Sequence, residues 1–229
     1  MLPVVPSSSE EWFRVSAKRE ALAHAVVERC GQTYAEQAGI RLRDTPAALY
    51  QVLVLAHLLS ARIKADVAVA AARALFDAGM RTPARMAEAT WQQRVDALGE
   101  GHYRRYDERT ATQLGDGAQL LLDRYGGDLR RLREGADPGE VADRLREFPG
   151  IGPLGAAIFL REVQGVWPRY APHIDGKALD GAERVGLPRS PKALDRLVRR
   201  GELPQLTAGL VRVALDKRLA EDVRSLARG

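Results

Sequence analysis

Cysteine, aromatic residues and long apolar runs are scarce in this chain of 229 residues. Cys30 is the only cysteine, which excludes an internal disulfide and a cysteine-ligated zinc or iron–sulfur centre within the chain. No apolar run approaches the ~20 residues that a membrane-spanning helix needs, and the N-terminus lacks the basic start and apolar stretch of a signal peptide. We therefore expect a cytoplasmic protein without a membrane partner.

Runs of β-branched residues are also missing, whereas alanine, leucine and arginine dominate the composition. This balance predicts an all-α protein, and no segment shows the alternation typical of a strand. Ser, Thr or Asp followed by Pro or Glu marks the predicted helix starts, and glycines mark several of the ends. The predicted starts are Ser8, Thr45-Pro46, Asp66, Thr82-Pro83, Thr90 and Asp137-Pro138.

The net charge of +5 is unevenly placed along the chain. Residues 1–154 carry 21 basic and 21 acidic side chains, so the whole excess lies in residues 155–229. A basic C-terminal third suits a polyanionic partner such as nucleic acid.

The segment FPGIGPLGAAIF, residues 148–159, links the end of one predicted helix to the start of the next. Gly150 and Gly152 permit a tight turn, and Pro153 suits the first position of the second helix. Such a turn exposes backbone N–H groups that favour an anion such as a DNA phosphate. A glycine turn that serves only to connect two helices is the alternative.

The longer pattern LREFPGIGPLGAAIFL, followed by GVWPRYAPHID, resembles the helix-hairpin-helix/Gly-Pro-Asp superfamily of DNA glycosylases. VLAHLLSARIKADVAV, residues 54–69, is similar to a helix of the endonuclease III branch, and the resemblance covers residues 45–185. It implies two helical lobes, a central one of residues 44–154 and a second one of residues 1–43 plus 155–229. Double-stranded, damaged DNA would lie in the cleft between them, with one base flipped out.

The hairpin residues Gly150, Ile151, Gly152 and Gly155 are those that the resemblance assigns to DNA binding. It also implies a sodium or potassium ion on the backbone carbonyls near the turn. Those carbonyls would belong to Arg146, Phe148 and Ile151.

Asp175 occupies the place of the family's catalytic aspartate. Loss of a base builds positive charge on the deoxyribose, which a nearby carboxylate stabilises. The same position suits a helix cap at the start of GKALD, and one carboxylate can fill both roles.

Three features depart from the family pattern: the residue after the hairpin, the cysteine content, and a loop between the hairpin and Asp175 that is a few residues longer than usual. Leu154 stands where bifunctional members carry a nucleophilic lysine, which favours a monofunctional hydrolase that uses water. Lys177 is the nearest other amine, and a phosphate contact or a solvated helix residue are its alternatives. The branch's iron–sulfur cluster cannot form with one cysteine, so we expect no cofactor.

Further candidate residues come from positions near the proposed DNA and base sites. Arg62 falls where the related helix inserts a residue into the duplex, or it is a surface arginine. His57 is a core histidine or lines the base pocket, and Trp167 and Tyr170 stack on a base or pack within a lobe. HYRRYDER, residues 102–109, faces either DNA or solvent.

These residues predict a monomeric base-excision-repair glycosylase, associated with the nucleoid if the source is bacterial. A catalytically silent relative that binds bent, branched or damaged DNA is the alternative, because it too would lack the lysine and the cluster. A helical protein with a purely structural hairpin is the third.

Overall fold

The computed structural model describes residues 9–227, and every regular element in that range is helical. The α-helices are α1 (Ser9–Cys30), α2 (Tyr34–Gln37), α3 (Pro46–Ser60), α4 (Ala65–Asp77), α5 (Pro83–Glu88), α6 (Trp91–Glu100), α7 (Asp107–Tyr125), α8 (Pro138–Arg146), α9 (Pro153–Val163), α10 (Gly176–Val185), α11 (Pro191–Asp195), α12 (Leu203–Leu215) and α13 (Lys217–Leu226). Leu129–Arg133 and Pro168–Tyr170 form short 3₁₀ helices. The all-α prediction is confirmed for these residues.

The chain divides into two compact units. We call residues Tyr34–Ala171 the internal unit, and the described parts of Met1–Thr33 and Pro172–Gly229 the terminal unit. The internal unit is larger than the central lobe expected at residues 44–154, since it also contains residues 34–43 and 155–171. Helix α9 belongs to it because α9 packs against α3.

Helix α3 is the centre of the internal unit. It is apolar nearly all round, and ten of its fifteen residues are buried. Helices α4 and α9 pack directly on it, while α7 packs on α5 and α6. An amphipathic helix would bury one stripe, whereas α3 buries most of its surface because neighbours surround it.

The terminal unit is built from α1, α10, α12 and α13. Gly181 of α10 faces the backbone of α12, where a Cβ at residue 181 would lie 2.7 Å from the carbonyl carbon of Leu210. This close approach explains why the two helices share the largest contact in the unit. Cys30 is half-buried, its thiol donates to the carbonyl of Val26 at 3.2 Å, and burial raises its pKa.

Several predicted helix starts agree with the structure. Thr82 and Thr90 accept backbone N–H groups as N-caps, and Asp137 forms a capping box with Glu140. Pro46 begins α3 as predicted, although the Thr45 side chain makes no cap hydrogen bond. The predicted Ser8 cap lies outside the described residues.

Two local predictions are wrong. The helix expected to be capped by Asp66 begins at Ala65, and Lys64 is its N-cap. The glycines at 115 and 117 also predict an interruption of the helical segment 103–125, whereas α7 runs through both. A Cβ at residue 115 would lie 2.7 Å from the guanidinium of the buried Arg94, so this glycine makes room for a neighbouring side chain.

None of the helices within residues 9–227 has both the length and the apolar character that a bilayer crossing requires.

Candidate nucleic-acid interface

The hairpin joins α8 to α9 within the internal unit. Gly150 has a φ of 81°, a left-handed conformation that favours glycine. Ile151 is buried and its N–H donates to the carbonyl of Phe148 at 3.0 Å, which closes the turn. The predicted tight turn, pinned to the core by Ile151, is therefore present.

Gly150 also lies against two side chains from elsewhere in the internal unit. A Cβ on residue 150 would come within 2.5 Å of Cε1 of His57 and 2.7 Å of Oε1 of Gln113. Both the torsion and the available space thus require glycine at this position.

Gly152 differs from Gly150 both in its backbone torsion and in the space around it. Its φ of −91° is open to any residue, and a Cβ there would meet nothing within 4 Å. The sequence predicts that the torsions of the turn require glycine at both positions, and this is wrong for Gly152. Together with Pro153 and Leu154, it forms an exposed surface at the start of α9.

The start of α9 presents backbone donors to this surface. Gly152 is the N-cap and supplies no capping side chain. The first backbone bond of the helix runs from the N–H of Ala156 to the carbonyl of Gly152 at 3.0 Å. The N–H groups of Leu154 and Gly155 find no acceptor within the described chain, so they remain donors for an anion.

Gly155 faces the opposite way from Gly152. It is buried, and a Cβ there would lie 3.6 Å from Cβ of Ser60 at the end of α3. The absence of a side chain at Gly155 therefore allows α9 to pack closely on α3. Its N–H is one of the two donors at the start of α9 that are unpaired within the described chain.

The carbonyls proposed for a monovalent cation follow one another around the turn. The carbonyl of Phe148 accepts the N–H of Ile151, and no backbone donor in the described chain reaches those of Arg146 and Ile151. Each of the three residues therefore has a carbonyl oxygen that can serve as a cation ligand. Across residues 9–227 no three His, Cys, Asp or Glu side chains are grouped as metal ligands would be.

Leu154 is 54% exposed on the first turn of α9. It carries no nucleophilic atom, so the side chain that follows the hairpin can contribute only apolar contact.

Asp175 lies in the terminal unit at the start of α10. Its Oδ1 accepts the N–H of Ala178 at 3.0 Å, so the predicted helix cap is confirmed. The carboxylate is half-buried, and the cap limits its rotation. Lys177 is exposed in the first turn of α10, and its amine lies 3.5 Å from a carboxylate oxygen of Asp180.

Three residues suggested separately by the sequence meet at one cavity of the internal unit. His57 and Arg62 come from α3 and the turn after it, and Gly150 comes from the hairpin. The cavity has a volume of about 330 Å³. Its remaining lining residues are Ser60, Ala61, Tyr103, Tyr106, Arg109, Thr110 and Gln113.

Gln113 was missed by the sequence analysis, and the HYRRYDER segment was left open between DNA and solvent. Tyr106 is the N-cap of α7, and Arg109, Thr110 and Gln113 follow it at intervals of three and four residues, which places the four on one side of this helix. That spacing in the sequence predicts a shared polar face. The contact between Gln113 and His57 depends on helix packing, so the sequence alone does not predict it.

His57 is neutral at physiological pH. Burial lowers its pKa from 6.5 to about 4; the hydrogen bond to Gln113 works in the opposite direction, and the charge of Arg109 lowers the pKa further. Nε2 of His57 lies 3.2 Å from Oε1 of Gln113. Because an amide oxygen only accepts, the neutral ring carries its proton on Nε2 and donates it to Gln113.

Trp167 and Tyr170 pack inside the internal unit, which is the second of the two roles left open for them. Their rings lie 5.8 Å apart between centroids, and they are only 1% and 6% exposed. The indole N–H of Trp167 donates to Asp44 at 2.9 Å, and the Arg133 guanidinium lies 4.5 Å from the indole ring. Tyr170 is thus a core residue and not a surface ring available to stack on a base.

The fold is similar to that of a solved thymine-DNA glycosylase. A thermostable thymine-DNA glycosylase matches 86% of this chain and 86% of its own, with 16% identity and a TM-score of 0.52. Two endonuclease III–DNA complexes are each 19% identical to this chain. The first is a trapped covalent intermediate with an estranged adenine; it covers 78% of this chain and 81% of its own, with a TM-score of 0.46. The second is a non-covalent complex that covers 78% of this chain and 80% of its own, with a TM-score of 0.47.

No protein-family model and no curated protein matches the sequence. At such identities the likeness shows the fold: the chain has the all-helical architecture of the thymine-DNA glycosylase structure.

Proposed function

We propose that the protein is a monofunctional DNA glycosylase that hydrolyses the bond between a damaged or mismatched base and its deoxyribose. The observation that carries the proposal is the hairpin, in which a left-handed Gly150 leads to a helix start with open N–H groups and free space at Gly152. The fold similarity to a thymine-DNA glycosylase supports it.

The hairpin binds the DNA backbone independently of sequence. A phosphate at the start of α9 accepts hydrogen bonds from the N–H groups of Leu154 and Gly155, and the helix dipole adds to the attraction. The missing side chain at Gly152 lets the phosphate approach the backbone. Contacts of this kind position the duplex and leave the choice of base to other residues.

Asp175 is the proposed catalytic carboxylate. The glycosidic C–N bond breaks, its electron pair leaves with the base, and the sugar ring acquires positive charge. The Asp175 carboxylate stabilises that charge and receives a proton from the attacking water. Its cap to Ala178 holds it in one orientation, which favours catalysis because no reorganisation is needed.

Water is the proposed nucleophile because Leu154 offers none. Lys177 is engaged by Asp180 and is assigned to the DNA backbone or to solvent. The protein would act as a monomer on double-stranded DNA, without a cofactor. Its excess of positive charge after residue 154 favours such a partner.

A panel of duplexes with damaged or mismatched bases tests this under single-turnover conditions, each sample split into alkali-treated and untreated halves. We expect strand breaks only after alkali. Asp175→Asn should abolish them while DNA affinity stays the same or rises, because asparagine still caps α10. Asp216→Asn is the matched control, since Asp216 caps α13 in the same unit.

Unchanged base release by Asp175→Asn would exclude Asp175 as the catalytic group. Base release lost equally in both variants would point to a stability effect.

A catalytically silent DNA-binding protein is the second candidate. The use of Asp175 Oδ1 as a helix cap favours it, because a cap alone accounts for an aspartate at this position. Binding to the panel without any base release would support this candidate.

A further inference from the structure

The cavity lined by His57, Arg62 and Gly150 has a polar wall in which Oε1 of Gln113 faces Nε2 of His57. His57 donates through Nε2 to Oε1 of Gln113, so the amide oxygen is occupied. The amide NH₂ of Gln113 makes no hydrogen bond within the described chain. Gln113 therefore presents a donor, and not an acceptor, to the cavity.

Tyr103 is a second polar residue of the wall, and its side chain is fully buried. Burial raises the pKa of its hydroxyl, whereas a hydrogen bond with Thr110 lowers it. The amide NH₂ of Gln113 is therefore the donor that makes the cavity suited to a polar occupant.

The rim of the cavity carries positive charge. Arg62 and Arg109 are exposed, and neither forms an ion pair within the described residues. The interior is uncharged because His57 is neutral. A neutral group attached to an anionic backbone fits this arrangement better than an anion, which the uncharged interior would not stabilise.

The cavity is continuous with the hairpin, because Gly150 lines it. Gly150 lies two residues before the helix start that offers N–H groups to a phosphate. A DNA strand held at α9 would thus have its sugars and bases next to the cavity mouth.

We propose that this cavity receives one unpaired nucleobase and that Gln113, oriented by His57, selects a base with a carbonyl oxygen at pyrimidine C4 or purine C6. Thymine, uracil and guanine present such an oxygen, whereas cytosine and adenine present an amino group there. The amide NH₂ of Gln113 can donate a hydrogen bond to this carbonyl oxygen. An amino group at the same position is itself a donor, so the two groups cannot pair. The proposal rests on the proposed function only in that DNA is the partner.

Fluorescence anisotropy tests it with labelled duplexes that contain one bulged nucleotide, thymidine or cytidine, with 2′-fluoro sugars that resist base release. We expect wild type to bind the thymidine bulge about fivefold more tightly than the cytidine bulge, the worth of one hydrogen bond. Gln113→Glu turns the donor into an acceptor and should reverse the preference. Gln119→Glu makes the same charge change on the exposed part of α7 and should preserve it.

His57→Phe examines the positioning role. Without the Nε2–H donor the amide of Gln113 can rotate. The ratio of the affinities for the thymidine and cytidine bulges should therefore fall towards one, while the affinity for a perfect duplex is retained. A circular dichroism melt confirms that each variant is folded.

Equal affinity of wild type for the two bulges, or an unchanged preference in Gln113→Glu, would overturn the proposal. Base release that persists alongside either result would leave the proposed function intact. No binding to any duplex would overturn both, whereas a preference without base release would support this proposal and exclude the enzyme.

Discussion

Gly150 of the hairpin lies directly against the imidazole of His57. A Cβ at residue 150 would reach 2.5 Å from Cε1 of that ring, far inside ordinary contact distance. The residue that shapes the turn therefore also abuts the buried His57–Gln113 pair. Hairpin geometry and cavity geometry are fixed by the same contact.

The two hairpin glycines should respond differently to alanine. Gly150→Ala introduces a Cβ at a φ of 81° and forces His57 or Gln113 to move, which we expect to lower the free energy of unfolding by about 2–4 kcal/mol. Gly152→Ala places its Cβ in open space and should lower it by no more than about 1 kcal/mol, the cost of alanine at an N-cap. Urea denaturation of both variants measures the difference. Equal destabilisation would contradict the distinction drawn between them.

Bulk at Gly152 should weaken DNA binding without affecting the fold. Gly152→Leu fills the space through which a phosphate would approach the N–H groups of α9, and we expect about a tenfold loss of affinity for any duplex sequence. Gly99→Leu is the control, because a Cβ there also meets nothing within 4 Å.

Titration of each variant with a labelled duplex provides the measurement. If Gly152→Leu bound as tightly as Gly99→Leu, the hairpin would not be the phosphate-binding element.

Local signals in the sequence predicted the elements that hold the candidate site. Pro46, Asp137 and Asp175 begin helices as their residue types indicate, since capping depends on neighbours within one turn. The hairpin was equally readable because it is a continuous segment.

The contacts of Gln113 were not readable in the same way. Gln113 reaches His57 across 56 positions of the chain, and only the packing of helices brings them together. Likewise, the two glycines look equivalent in the sequence, and their difference depends on where α3 and α7 lie. Tyr170 was ambiguous for a related reason: an aromatic ring suits a base or a core equally well.

Covalent trapping should distinguish water from an amine as the nucleophile. A lysine that attacks the sugar forms a Schiff base, which borohydride reduces to a stable protein–DNA adduct. With Leu154 at the hairpin, we expect no adduct under conditions in which base release is complete. The measurement is a denaturing gel of reactions quenched with and without borohydride.

An adduct would contradict the water mechanism and indicate another lysine. Its disappearance in Lys177→Gln would identify that residue, and Lys192→Gln serves as the matched control, because Lys192 is also an exposed lysine of the terminal unit.

Acid should destabilise the fold through His57. Its pKa falls from 6.5 in the unfolded chain to about 4 in the folded protein because of burial, so the folded state binds fewer protons between these values. Stability is therefore fully present above pH 6.5 and declines as the pH falls towards 4. A difference of this size corresponds to about 3 kcal/mol.

His57→Gln removes the titrating group and keeps a polar side chain that can donate to Gln113. Other ionisable groups titrate in both proteins, so the informative quantity is the difference in unfolding free energy between wild type and variant, measured with urea at pH 7.5 and pH 4. We expect the wild type to lose about 3 kcal/mol relative to His57→Gln over that range. A difference independent of pH would mean that His57 takes up a proton in the folded state as readily as in the unfolded one. A charged ring would still donate through Nε2 to Oε1 of Gln113, so the amide orientation would be kept, but the wall of the cavity would carry a positive charge.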